Sequence, residues 1–339
     1  METMQALVAR AVGEPAKVLG LETRPEPQPG AGQVRIRVHA APVHPTDLHI
    51  MRGRYGFAPD FPAVPGVESV GTVDAVGDGV ESVGVGQRVI TVGITGTWQQ
   101  YVVADAARVL AVPDTMSAST AAQLLTNPLT AVLLVTRELA VARGELLLQT
   151  AAGSTVGKLV VQLGRQLGFR TINVVRRRAA VDELLALGGT EVICTEDEDL
   201  VWRMSEIVGD TGVSKAIDCV GGQVGADAFR SLAAGGEMVV YGALSTHRQA
   251  GVEQLTIPLP ANALIYGTKR VRGFWLYRWF TTTPQQQIRA ALSQTVELVA
   301  SGSLAIPEGQ PLPVERFADA VLLAEAPGHG GKPLLLFDR

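Results

Sequence analysis

The hydrophobic pattern changes character near residue 117. From Gln33 to Ala40 apolar and polar residues alternate. Val34, Ile36 and Val38 face one way and Arg35, Arg37 and His39 the other, as in a half-buried strand. Met4–Arg10, Val67–Val76 and Gln87–Val92 are further strand candidates, the last two separated by the loop Gly77-Asp78-Gly79. Pro42, Pro45, Pro59, Pro62 and Pro65 punctuate one long connection, Ala41–Gly66, and a connection that long in a compact domain is usually functional. The first 118 residues therefore predict an all-β, barrel-like domain with a working loop.

Beyond Ser117 the spacing turns helical over Ser117–Leu125 and Thr130–Leu139, with Asn127-Pro128 breaking the two apart. Strands and helices then alternate. The strand Glu145–Thr150 leads through a small-residue turn, Ala151–Gly157, into the helix Lys158–Leu167. The strand Arg170–Val175, helix Ala180–Leu187, strand Glu191–Cys194, helix Asp199–Val208, strand Lys215–Cys219, helix Gly225–Leu232 and strand Gly236–Tyr241 follow. Such alternation predicts crossover units and a parallel sheet covered on both faces, an α/β doubly wound domain. Val271–Leu276 is expected as a last strand, Pro284–Ser301 as a helix, and Lys332–Phe337 as a closing strand returning to the first domain. The expected division is 1–118 with 277–339 for the barrel and 119–276 for the doubly wound domain.

Composition narrows the function classes. With 47% hydrophobic and 18% charged residues in 339, there is ample material for a core. Lysine and arginine total 29 against 33 acids, a net charge of -4, so the concentrated basic surface that nucleic acids or anionic membranes require is not expected. The two cysteines, Cys194 and Cys219, exclude a disulfide framework or a four-cysteine zinc lobe. No uncharged apolar run reaches the roughly 18 residues of a membrane span. The N-terminus passes from Met1 almost directly into a strand without a targeting pattern, so a cytoplasmic location is the expectation.

The chemistry begins at the turn Ala152-Gly153-Ser154-Thr155-Val156-Gly157. A dinucleotide-binding turn needs small residues so that the backbone bends sharply, approaches the pyrophosphate and packs the helix on the sheet. Against G-x-G-x-x-G only the final glycine, Gly157, is kept, but the turn has a strand before it and a helix after it. The end of the next strand says more. Enzymes that use NAD usually place an acid there, and those that use NADP place arginine. Nineteen residues after Gly157 (176 − 157) the chain reads Arg176-Arg177-Arg178, with no acid before Asp182. A helix N-terminus is the wrong dipole end for three cations, so a bound phosphate explains the run and NADPH is the expected cofactor.

Several stretches together resemble one family. They are Val43-His44-Pro45-Thr46-Asp47, Arg52-Gly53-Arg54-Tyr55-Gly56, Asn127-Pro128-Leu129-Thr130-Ala131, Thr171-Ile172-Asn173-Val174-Val175-Arg176, Asp218-Cys219-Val220-Gly221-Gly222 and Arg272-Gly273-Phe274-Trp275-Leu276. The match runs nearly end to end and resembles the 2-enoyl thioester reductases, the mitochondrial enoyl-CoA reductases among them, of the medium-chain dehydrogenase/reductase superfamily. The resemblance implies a GroES-like β-barrel catalytic domain, a Rossmann domain, a cofactor cleft between them and a homodimer. It implies no zinc: where related alcohol dehydrogenases carry Cys-x-x-Asp and Gly-His-Glu, this chain has His44 with Asp47, and Gly66-Val67-Glu68.

Without a metal another group must handle the proton, and a phenol, a neutral acid near pH 7, suits that step. The resemblance assigns it to Tyr55. It further implies cofactor contacts at Asn127, at Gly153, Ser154, Thr155, Val156 and Gly157, and at Tyr241, Gly242, Ala243 and Leu244. Phe274, Trp275, Leu276, Tyr277 and Lys332 complete that set. His44 replaces the family's usual asparagine, and a histidine there would assist Tyr55, reshape the site or serve as a structural residue. Arg52 and Arg54 are expected to meet the phosphates of a coenzyme A or acyl carrier protein substrate. The reading is an NADPH-dependent reductase of 2-enoyl thioesters. An NADPH:quinone or enone reductase without zinc, and a non-catalytic NADPH-binding protein, are the alternatives.

Overall fold

The computed structural model describes residues 2–244, 256–326, 328 and 330–337. The chain forms two compact units, Met1–Thr126 with Ile306–Arg339, and Asn127–Ala305.

The first unit is built on strands β1 (Thr3–Ala9), β2 (Leu19–Pro25), β3 (Gln33–Pro42), β4 (Val70–Val76), β5 (Arg88–Thr91), β6 (Tyr101–Asp105) and β7 (Val109–Ala111). The second carries β8 (Leu146–Gln149), β9 (Arg170–Val175), β10 (Glu191–Cys194), β11 (Val213–Asp218), β12 (Leu232–Val240) and β13 (Arg270–Gly273). The chain then returns to the first unit with β14 (Gln310–Pro313) and β15 (Pro333–Leu336).

In the first unit a seven-stranded sheet runs β14-β15-β3-β4-β5-β7, with β6 also paired to β3. The alternation read along β3 is real. Val34, Ile36 and Val38 are fully buried, while Arg35, Arg37 and His39 keep some exposure. They meet Val73, Val89, Trp98, Val102 and Leu335 in one core. Leu335 pairs with Ala41, so the closing strand joins this sheet.

The second unit has a six-stranded parallel sheet in the order β10-β9-β8-β11-β12-β13. Its core gathers Leu148, Ile172, Val174, Ala216, Phe229 and Met238. The strand order reverses between β8 and β11, and ligands of open α/β sheets bind beyond the carboxyl ends of the strands at such a switch point.

Four expectations are corrected. The helix Gln285–Ala300 packs in the second unit, where Arg137 donates to Gln287 at 2.7 Å, so the division falls at 305/306 rather than 276/277. Likewise the first boundary falls at 126/127 rather than 118/119. The last strand stops at Gly273 and a helix, Leu276–Thr282, begins where the aromatic run was expected to stay extended. Finally, Asn127-Pro128 does not separate two helices but lies in the first turn of the helix Thr126–Leu133. A proline is tolerated there because first-turn N–H groups have no intrahelical acceptor.

Candidate active site

In the second unit the turn after β8 is built as a nucleotide turn. Ala151 has φ +47°, and Ser154 caps the helix Thr155–Leu167 by accepting from the Gly157 N–H at 3.2 Å. A Cβ on Gly157 would stand 2.4 Å from the Ala152 carbonyl oxygen, so only glycine lets this helix approach so closely. Gly153, Thr155 and Val156 complete the turn, and the positive dipole end of the helix that Ser154 caps suits a phosphate.

Beside it, Asp218 ends β11 on the far side of the switch point. Its carboxylate accepts from the Thr150 hydroxyl at 2.5 Å and from the Val220 and Gly221 N–H groups at 3.0 Å each. The signal for it was present in the sequence as an acid closing the apolar strand Ala216-Ile217-Asp218. Tyr241 continues from β12, its N–H donating to the Asp218 carbonyl at 2.8 Å, and the Leu244 N–H donates to that of Cys219 at 2.8 Å. Gly242 packs against Cys219 and Ala243 follows it. Burial pushes the Tyr241 phenol well above its ordinary value, with Cys219 and Asp218 adding to the shift, and it pushes the Cys219 thiol up to about 12. Both groups are therefore neutral.

The arginine run divides. Arg178 is three-quarters exposed and paired with Asp197 at 2.7 Å. Arg176 and Arg177 form no ion pair among the described residues. They leave β9 directly after Val175, whose side chain reaches within 4.0 Å of the space beside Gly153. Asn127 adds a side-chain N–H2 that is sealed from solvent and has no hydrogen-bond partner among the described residues. A glycine whose Cβ space is closed, an orphaned amide donor and two uncommitted guanidinium groups fit a nicotinamide dinucleotide cofactor. On the edge strand's continuation, the Phe274 N–H donates to the Val240 carbonyl at 2.9 Å, and the Trp275 and Tyr277 rings lie 5.2 Å apart. Leu276 begins the helix there.

In the first unit, His44 precedes the helix Pro45–Met51 and is 1% exposed. Its Nε2 lies 2.6 Å from Glu68 Oε2, and its backbone N–H donates to Asp47 Oδ2 at 2.8 Å. Glu68 is carried inward by the chain after Gly66, which has φ +101° and whose Cβ would lie 2.3 Å from Thr97 Oγ1. The acid in the apolar stretch Gly66-Val67-Glu68-Ser69-Val70 was legible only as a zinc-ligand position. Among the described residues no group of three His, Cys, Asp or Glu side chains is placed to hold a metal.

Lys332 is buried in this unit rather than on the surface. Burial lowers its amine to about 8, against the pull of Glu68 and Asp47. Burial likewise lowers His44, helped by the Lys332 charge and opposed by Glu68.

Tyr55 is half-buried, its ring edge-on to Phe57 at a centroid distance of 5.2 Å. Arg52, expected to meet a carrier phosphate, is engaged instead. It donates to Glu14 at 2.8 Å and to Glu325 at 2.5 Å with a side chain only 5% exposed. Two carboxylates around a buried guanidinium leave it little reason to exchange them for a ligand, and the pair with Glu325 is shielded from solvent on both sides.

Comparison with known proteins completes the picture. Residues 30–114 match the alcohol dehydrogenase GroES-like domain and residues 155–297 the zinc-binding dehydrogenase domain. The chain is 32% identical to the mitochondrial enoyl-[acyl-carrier-protein] reductase of Homo sapiens, over 98% of this chain and 88% of that one. It belongs to the enoyl thioester reductase branch of the medium-chain dehydrogenase/reductase superfamily. The mitochondrial enoyl-[acyl-carrier-protein] reductase of Arabidopsis thaliana is likewise 32% identical, over 97% of this chain and 86% of that one. Among solved structures, one described as an NADPH:quinone reductase from Bacillus thuringiensis superposes with a TM-score of 0.92 at 29% identity, covering 99% of each chain. This member of the superfamily is an oxidoreductase that takes a nicotinamide cofactor, on a GroES-like domain and a Rossmann domain. Among the described residues no helix is long and apolar enough to cross a membrane.

The buried acid Asp47 gives the protein a measurable pH signature. Burial raises its carboxyl from the ordinary 3.8 to about 7, opposed by the His44 N–H and by Lys332. Between about 4 and 7 the unfolded chain has released this proton and the folded one holds it. The folded state then binds more protons, so this group's contribution to stability falls as pH rises through that window and is flat above about 7. Lys332 acts with the opposite slope, between about 8 and 10.5. Asp47→Asn keeps an oxygen to accept from His44. Its stability relative to the native protein should therefore climb from pH 4 to 7 and then level off. Urea denaturation across that range checks this, and a constant difference would refute it.

Proposed function

We propose that the protein is an NADPH-dependent reductase of the C=C bond of trans-2-enoyl thioesters carried on coenzyme A or acyl carrier protein. The observation that carries this reading is the likeness, over 98% of the chain, to proteins named as enoyl-[acyl-carrier-protein] reductases. The turn 153–157, Asn127, Tyr241–Leu244, Phe274–Tyr277 and Lys332 would hold the cofactor, and Arg176 with Arg177 would take its 2′-phosphate. When bound, the reduced nicotinamide supplies a hydride to the β carbon. Negative charge then develops on the thioester carbonyl, and the α carbon takes a proton. Tyr55 is the donor in this scheme, because a phenol can donate a hydrogen bond to the developing charge and then give up its proton. Tyr241, sealed beside Cys219, is the poorer candidate.

The Bacillus thuringiensis likeness supports a second reading, reduction of quinones. Anaerobic NADPH oxidation with crotonyl-CoA, longer enoyl-CoAs and a soluble quinone separates the two. Turnover on the quinone alone would overturn the first reading in favour of the second.

A further inference from the structure

Glu68 is the most heavily engaged buried carboxylate of the first unit. One oxygen, Oε2, meets His44 Nε2 at 2.6 Å. The other, Oε1, accepts from the backbone N–H of Leu125, and from that of Thr126 at 3.2 Å. Thr126 opens the helix Thr126–Leu133, and the first N–H groups of a helix have no partner within it. Such groups are usually satisfied by a neighbouring side chain in the sequence, whereas here the acceptor comes from 57 or 58 residues away. A carboxylate there also complements the helix dipole. The next residue is Asn127, whose sealed N–H2 lacks an acceptor among the described residues.

His44 completes the chain of contacts. It stands immediately before the helix Pro45–Met51, whose end turns into the segment of Tyr55 through Arg52 N–H to Leu48 and Arg54 N–H to His49. Its ring is enclosed, and Nε2 is committed to Glu68. A ring so held is badly placed to shuttle protons with a substrate, but well placed to fix the rotamer of the carboxylate.

We infer that His44 and Glu68 are positioning residues. Together they pin the backbone of Leu125 and Thr126, and so hold Asn127 where its amide can meet the nicotinamide cofactor. The inference rests on the proposed role of Asn127 as a cofactor contact. It replaces the expected catalytic role of His44 with a mechanical one. What matters at position 44 is a hydrogen-bond donor at the Nε2 position, not a group that titrates.

Glutamine can present an N–H near that position, whereas alanine presents nothing. The test uses His44→Ala, His44→Gln and Glu68→Gln in the full-length chain. Amide hydrogen exchange at Leu125 and Thr126 is followed in cofactor-free protein, and NADPH affinity by fluorescence titration. His44→Ala and Glu68→Gln should speed exchange of both amides and weaken NADPH binding, each by about tenfold, the equivalent of one lost hydrogen bond. His44→Gln should restore both to within about threefold of the native protein.

The inference is overturned if those amides exchange at native rates in Glu68→Gln. It is equally overturned if His44→Gln is as impaired as His44→Ala in both amide exchange and NADPH affinity, since a donor at that position would then not suffice. Should Glu68→Gln fail to fold, the alanine and glutamine pair at 44 still decides. Neither exchange nor NADPH titration uses an acyl substrate. A protein inactive on every enoyl thioester would thus refute the proposed reaction while leaving this test intact.

Discussion

Tyr55→Phe is expected to lower turnover on an enoyl thioester by about 10²-fold or more, the range removed with a general acid, while leaving NADPH affinity within about twofold. The substitution deletes one oxygen and keeps the ring, so the edge-on contact with Phe57 survives. The segment is anchored independently of that hydroxyl. Arg52 is clamped between Glu14 and Glu325, and Gly53, with φ +68°, lies so close to Val12 that a Cβ would meet its methyl at 3.0 Å. A fall in kcat with cofactor affinity unchanged is therefore read as a loss of proton donation. Steady-state NADPH oxidation with crotonyl-CoA reads kcat, and fluorescence titration reads the cofactor. A mutant within about threefold of the native rate would remove Tyr55 from the chemistry, since even weak general acids contribute more.

Much of the fold was legible because burial imposes a period. The alternation along β3 and the apolar runs of β8, β9 and β11 each report a face or strand shut away from water. The tight turn between β8 and the helix Thr155–Leu167 was legible from its small residues, of which Gly157 has no room for a Cβ. What the pattern could not show was partnership across long separations. Arg52 reads as a surface cation until Glu325, 273 residues away, is found on its guanidinium. Lys332 reads as a cofactor contact, and nothing in the sequence shows that it lies buried in the unit of Glu68 and Asp47. The helix Gln285–Ala300 shows an amphipathic repeat but not which unit its apolar side covers. The same limit applies to Glu68. Its identity as an acid was plain, but its three donors come from two distant segments.

Replacing Arg176 and Arg177 together by serine is expected to raise the KM for NADPH by about 10²-fold and leave that for NADH nearly unchanged, erasing the preference between them. Each charge-assisted contact to a phosphate contributes about 1.5–3 kcal/mol, so two contacts at the lower bound already reach that factor. The three arginines differ in their surroundings. Arg178 spends its charge on Asp197 in an exposed pair, and such pairs stabilise by about 1 kcal/mol or less. Arg178→Ser should therefore change cofactor preference by no more than about threefold. The two freer guanidinium groups follow Val175, beside the turn at Gly153, where a second-strand residue meets the adenosine ribose in this fold. No acid stands at that strand end to receive ribose hydroxyls in place of a phosphate. Parallel NADPH and NADH kinetics on the native protein and both variants decide the matter. Native protein that uses both cofactors equally, or a collapse of preference caused by Arg178 alone, would refute the assignment. Raising ionic strength should weaken NADPH binding more than NADH binding in the native protein and equally in the double variant, because salt screens the exposed charges that this discrimination uses.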